Sequence, residues 1–200
     1  MTRTWTLTAV AAVLLSGCSA KYVRDTDVPT LDKPAMSTGL DRADLDRLYN
    51  ENIQNLLASP VMAEWQNTAV RTGKKPPVAI FPIVNETTEH IDTQLDALLS
   101  KLETQLVGTG ALAVVSRQRQ QQLAEELRLQ QSGAFDAAQS AKLGRMLGAK
   151  YYVTGKIYDS AERTKGARRV QYFLFMQVIE LETSLVAWQK EAALSKGLLK

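Results

Sequence analysis

The chain has 200 residues, 45% of them hydrophobic, with 24 Lys and Arg against 21 Asp and Glu, one histidine and one cysteine. That length bounds one ordinary domain plus a tether. The near balance of charge excludes the strongly basic surface of a nucleic-acid binder, and a single thiol excludes both a disulfide framework and a cysteine metal site.

Behind a lone Arg3, residues 5–15 form an apolar run that leads into Ser16, Gly17 and Cys18. About eleven apolar residues are too few for a bilayer span, which needs roughly twenty. The arrangement resembles a bacterial lipoprotein signal with its lipobox. The resemblance implies that residues 1–17 are removed and that Cys18 is acylated on its sulfur and its new amino terminus. Three chains would hold the protein permanently, where one binds only marginally at about 0.8 kcal/mol per methylene. Ser19 stands where an Asp would retain such a protein in the inner membrane, which implies the periplasmic face of the outer membrane. That compartment is oxidising, so a domain without disulfides relies on its core.

Residues 18–40 carry Pro29, Pro34 and Gly39 among polar residues and read as a flexible tether. About 22 residues reach at most ~75 Å extended and roughly 25 Å as a coil. Residues 41–57 place Leu45, Leu48, Tyr49, Ile53, Leu56 and Leu57 at helical spacing. Ser59 reads as the cap and Pro60 as the first residue of a second helix carrying Val61, Met62, Trp65 and Ala69. This helical pair, residues 41–73, is expected ahead of an α/β domain at residues 76–192. Residues 78–84 are a nearly continuous apolar run, as in a strand covered on both faces. Pro82 within it belongs at an edge, a bulge or the strand's end. After a turn at residues 85–88, Ile91, Leu95, Leu98, Leu99, Leu102 and Leu106 mark a helix stopped by Gly108.

Residues 111–115 form a short second strand. Ser116 can cap a polar helix over residues 117–130, and Asp136 a further helix through Leu147, closed by Gly148. Residues 151–158 are the third strand, residues 168–181 a long fourth, and residues 185–189 a last strand before a tail at residues 193–200. Short connections make these last strands antiparallel. The order β-α-β-α-α-β-β-β, preceded by the helical pair, predicts an α/β fold: a mixed, mainly antiparallel sheet of about four to five strands flanked by helices. Leu98, Leu102, Val153 and Phe173 are its expected core members.

No catalytic constellation emerges, and no enzyme, cofactor, metal or small-molecule substrate is expected. His90 sits between Glu89 and Ile91 in a polar turn and reads as solvated. The carboxylate pairs Asp25/Asp27, Asp44/Asp46 and Glu125/Glu126 lie in the tether or on polar faces, without the apolar surroundings that raise a pKa. Gly108 and Gly110 stop a helix and do not cradle a phosphate; Gly144 and Gly148 suit close helix packing. Asn85, Glu86 and Thr87 match a glycosylation sequon by coincidence. Arg163, Lys165, Arg168 and Arg169 cluster around one turn and are the candidate docking residues for an acidic partner, where rim charges mainly raise association rate.

From Val78 onward the chain resembles the LpoB family of outer-membrane lipoproteins that activate penicillin-binding proteins. The resemblance rests on the run at residues 78–87, the leucine helix, Ala-Val-Val-Ser-Arg at residues 113–117, Leu-Gly-Ala-Lys-Tyr-Tyr-Val-Thr-Gly-Lys-Ile at residues 147–157 and Leu-Val-Ala-Trp-Gln-Lys-Glu at residues 185–191. The CsgG pore family and the TolB amino-terminal domain share this plan. The resemblance implies a non-enzymatic regulator whose domain reaches the periplasmic part of a bifunctional peptidoglycan synthase and so bears on cell shape. The tether is shorter than the proline-rich ones of such activators. An accessory role in an envelope secretion or flagellar assembly is the alternative.

Overall fold

The computed structural model describes residues 35, 37–120, 145–163 and 167–199. Helix α1 (Arg42–Leu57) starts at Asp41, whose carboxylate accepts from the Asp44 amide while the Asp44 carboxylate accepts from the Asp41 amide. This reciprocal cap satisfies two of the donors that a helix start leaves open. Helix α2 (Pro60–Thr72) has Ser59 as its cap and ends at Gly73, whose φ of +66° a side chain would oppose. Strand β1 (Pro77–Asn85) leads through helix α3 (Asp92–Gly108) to the two-residue strand β2 (Ala113–Val114). Strands β3 (Tyr151–Arg163), β4 (Ala167–Glu180) and β5 (Val186–Leu199) then form a long meander.

The five strands make one mixed sheet in the order β2-β1-β3-β4-β5. The pairings of β1 with β2 and β3 are parallel, and those of β3 with β4 and β4 with β5 are antiparallel. Pro82 sits at a bulge: Ile80 pairs with Val153 and Ile83 with Gly155, so Phe81 and Pro82 together oppose Thr154. The missing N–H thus falls where the ladder is already interrupted.

One face of the sheet meets the helices. Leu45, Tyr49 and Leu56 of α1, Trp65 of α2 and Leu102 and Leu106 of α3 share a core with Val153, Leu174 and Met176. The helical pair at residues 41–73 is therefore packed into the α/β unit and does not stand ahead of it. A smaller cluster on the opposite face joins Ala79, Phe81, Ala149, Tyr152 and Leu181. The helices expected at residues 117–130 and 136–147 lie largely outside the described residues.

Of the four expected core members, Leu98, Leu102 and Val153 are buried. Phe173 is not: along β4 the buried positions are Val170, Tyr172, Leu174, Met176 and Val178, which puts Phe173 on the other face, where its ring stacks on Tyr158 at 5.1 Å. The tail expected from residue 193 is strand as well, since Ala193 pairs with Phe173 and Leu199 with Ala167.

Candidate functional site

The strand register gives the sheet two distinct ends. At one, the β3–β4 hairpin closes, with Arg163 opposite Arg168 and Leu199 opposite Ala167. At the other lie the start of β3, the β4–β5 turn and the amino terminus of α2.

The hairpin end carries the basic residues singled out in the sequence. Arg168 and Arg169 are exposed. Arg169 is paired, its Nη2 lying 2.6 Å from Glu162 Oε2, with both side chains more than half exposed. A pair so placed contributes about 0.2–1 kcal/mol at most. Arg163 is placed by its backbone pairing with Arg168, and Lys165 lies outside the described residues, as does Cys18. The structure therefore brings Arg163, Arg168 and Arg169 to one tip, with one of the two placed cationic heads neutralised.

The same end fastens the start of the folded unit. Lys196 of β5 turns its ammonium inward, its side chain only 6% exposed. Its three N–H groups meet three acceptors: the Gly39 carbonyl at 2.7 Å, Asp41 Oδ2 at 2.9 Å and Asp44 Oδ2 at 2.6 Å. Burial opposes the ammonium, but the hydrogen bonds and charges of Asp44 and Asp41 outweigh it and hold the Lys196 pKa above its ordinary value. For Asp41, burial likewise acts against the charged form, and Lys196 together with the hydrogen bonds from Asp44 more than reverses it, so that its carboxyl titrates below the usual range. Beside them the Tyr172 hydroxyl lies 3.0 Å from the Thr38 carbonyl and 3.1 Å from Glu89 Oε1. From this latch α1 runs antiparallel to β5, with Lys190 3.3 Å from Glu51 and Trp188 Nε1 donating to Asn55 at 2.9 Å.

At the turn end, α2 and the sheet leave a groove of about 400 Å³ bordered by Pro60, Val61, Tyr151, Leu185 and Val186. Leu185 is 65% exposed and Val186 49%. The turn that presents them is fixed: Ser184 donates its amide to the Glu180 carbonyl, and the Glu180 amide donates to Leu185. Thr183 Oγ1 donates to Glu180 Oε2 at 2.7 Å, and Ser184 holds φ at +59°. Lys150 lies 3.5 Å from Glu180 and 5.0 Å from the Tyr151 ring centre. Sequence reasoning missed both the latch and this groove. The usable signal for the groove was an apolar pair directly after a polar turn.

His90 is exposed, Asp44 serves the latch, and Asp46 pairs with Lys101 at 2.8 Å. Among the described residues no group of three His, Cys, Asp or Glu is placed to hold a metal ion, and no helix is long and apolar enough to cross a membrane. The side chain of Asn85 is used within its own turn, donating to the Glu89 carbonyl at 2.9 Å and accepting from Thr87.

A five-stranded mixed sheet with helices packed on one face defines an α/β domain. The family model described as peptidoglycan-synthase activator LpoB matches residues 44–194, and the chain belongs to that family. Among solved structures it is similar to the LpoB C-terminal domain from Salmonella enterica, with 18% identity, a TM-score of 0.46 and coverage of 73% of this chain and 97% of that one. The LpoB C-terminal domain from Escherichia coli gives 18% identity, a TM-score of 0.45 and coverage of 74% and 98%. Lipoprotein GNA1162 from Neisseria meningitidis gives 13% identity, a TM-score of 0.39 and coverage of 61% and 83%. A search of the curated proteins returns no match.

Proposed function

We propose that this chain is a lipid-anchored, non-enzymatic regulator that binds and activates a bifunctional penicillin-binding protein. The family match over residues 44–194 carries the reading, and the lipobox ending in Cys18 supplies the means of placement. In this reading residues 1–17 are a cleaved signal, Cys18 bears the lipid at the periplasmic face of the outer membrane, and the tether ends at about Ser37. Thr38 and Gly39 are already held by Tyr172 and Lys196.

Activation by such a protein is a coupling free energy: binding must favour the synthase's active arrangement over its resting one. The packed helical pair bears on reach. Had residues 41–70 stood clear of the domain they would have added ~45 Å at 1.5 Å per residue. Packed into the core, they add none.

The test is to add the purified chain to each bifunctional synthase of its own host and follow glycan polymerisation and crosslinking. Binding with faster polymerisation is the expected result. A chain that neither binds nor stimulates any of them would replace this reading with the envelope-assembly alternative.

A further inference from the structure

We infer that the partner docks on the groove at the turn end, formed by α2, the start of β3 and the β4–β5 turn, and not on the basic hairpin. The inference rests on the synthase reading above. The occupant is a folded periplasmic domain that inserts an apolar side chain between Val61 and Leu185 and flanks it with Lys or Arg.

Three observations carry this. The first is where the chain outside the folded unit joins it. Between Cys18 and Ser37 lie about 19 residues, reaching at most ~65 Å, and they join at the hairpin end, where the latch holds Thr38, Gly39 and Asp41. When the tether is drawn out, that end faces the anchoring membrane. The turn end then points away from it, farther by the ~24 Å length of α1. A partner domain approaching from the side away from the anchoring membrane meets the turn end first, and with a short tether that length counts.

The second is apolar exposure held in place. Leu185 and Val186 are 65% and 49% exposed beside the groove, and the hydrogen bonds of the turn hold them there in the unbound chain. An anchor ordered in advance loses little freedom on binding. The third is charge. Glu64 lines the groove, and Glu182 is exposed on the neighbouring turn; neither forms an ion pair among the described residues, whereas Lys150 is paired with Glu180. The rim is net acidic and suits a basic partner. The hairpin, being basic, would require an acidic one, so the two locations make opposite demands.

The experiment measures binding of the full chain in detergent to each bifunctional synthase of its host, for wild type, Leu185→Asp, Glu182→Lys and the pair Arg168→Glu with Arg169→Glu. Leu185→Asp is expected to weaken affinity about tenfold or more, as loss of a central apolar anchor does. Glu182→Lys should slow association and reduce its salt dependence. The hairpin pair should stay within about twofold of wild type, because charges more than two Debye lengths from the contact are screened. Melting curves separate loss of contact from loss of fold, and Leu185→Met should restore binding if the position is an apolar anchor. If the hairpin pair loses binding while Leu185→Asp and Glu182→Lys keep it, the docking surface is the hairpin and this inference falls while the synthase reading stands. If wild type binds no synthase, the synthase reading itself falls.

Discussion

The two ends of the sheet differ in how they spend their charged groups. At the hairpin end Lys196 is turned inward and bonded to Asp41 and Asp44, holding the start of the folded unit against β5. At the turn end the carboxylates of Glu64 and Glu182 stay in solvent beside exposed Leu185. The first arrangement resists tension, because a buried cation bonded to three acceptors cannot slide without leaving some of them unpaired. The second offers surface. The contrast teaches that a charge cluster conspicuous in the sequence can lie beside a structural latch, so that composition alone does not tell a fastening from a docking surface.

The largest perturbation should act on both ends alike. Leu102 is fully buried in the core shared by α1, α3 and the sheet, so Leu102→Ala should destabilise the folded unit by about 3 kcal/mol. A melting transition unmoved by this change would mean that α3 is not in that core.

The next effect is confined to one end. Lys196→Met leaves two carboxylates without their cation and should cost about 2–3 kcal/mol near neutral pH. Lys196 binds its proton more tightly folded than unfolded, so its contribution is whole below its ordinary value of 10.5 and is lost as pH rises through the higher folded value. Asp41 is held below its ordinary 3.8, so its contribution is present above 3.8 and is lost as pH falls through the lower folded value. The stability gap between wild type and Lys196→Met should thus be widest from about pH 5 to 9 and narrow at both extremes. Denaturant titrations across that range would show it. A constant gap would remove the ion pair from the account.

Between the ends, nearer the turn, Gly155 lets β3 approach β4 closely. A Cβ there would lie 2.3 Å from the Phe175 carbonyl oxygen, a backbone atom that cannot swing aside. Gly155→Ala should cost about 2 kcal/mol, and equal stability of the two proteins would show that the strands can part without penalty.

Much of this architecture was legible because local chemistry and packing agree. Leu45, Leu48, Tyr49 and Ile53 recur at helical spacing and all are buried; Ser59, Pro60 and Gly73 fall where a cap, a first turn and a left-handed stop require them. Legibility failed where two faces competed. In β4 both alternating sets hold apolar residues, so nothing in the period says that Tyr172 goes inward and Phe173 outward. The second half of β5 reads Ala-Ala-Leu-Ser-Lys-Gly, poor strand formers, and its inward set includes Lys196, which only the latch makes tolerable. The latch joins residues 155 positions apart in Asp41 and Lys196, beyond any local pattern. The sequence divides the helical pair at residues 41–73 from the domain at residues 76–192, and only packing shows that the pair shares the sheet's core.

The smallest expected effect sharpens the comparison most at the turn end. Ser184 adopts φ +59°, the described residues' one non-glycine in the left-handed region, where a Cβ crowds the following carbonyl at roughly 1 kcal/mol. If the turn served stability alone, glycine would suit it better. Ser184→Gly should accordingly raise stability by about 0.5 kcal/mol, or ~1–2 °C in Tm, while Ser184→Val should lower it by about 1–2 kcal/mol. Synthase affinity should move the other way for glycine, falling about twofold to threefold, because the added backbone freedom must be given up when Leu185 is seated. A Ser184→Gly protein that is more stable and binds equally well would show that the rigidity of this turn contributes nothing to docking.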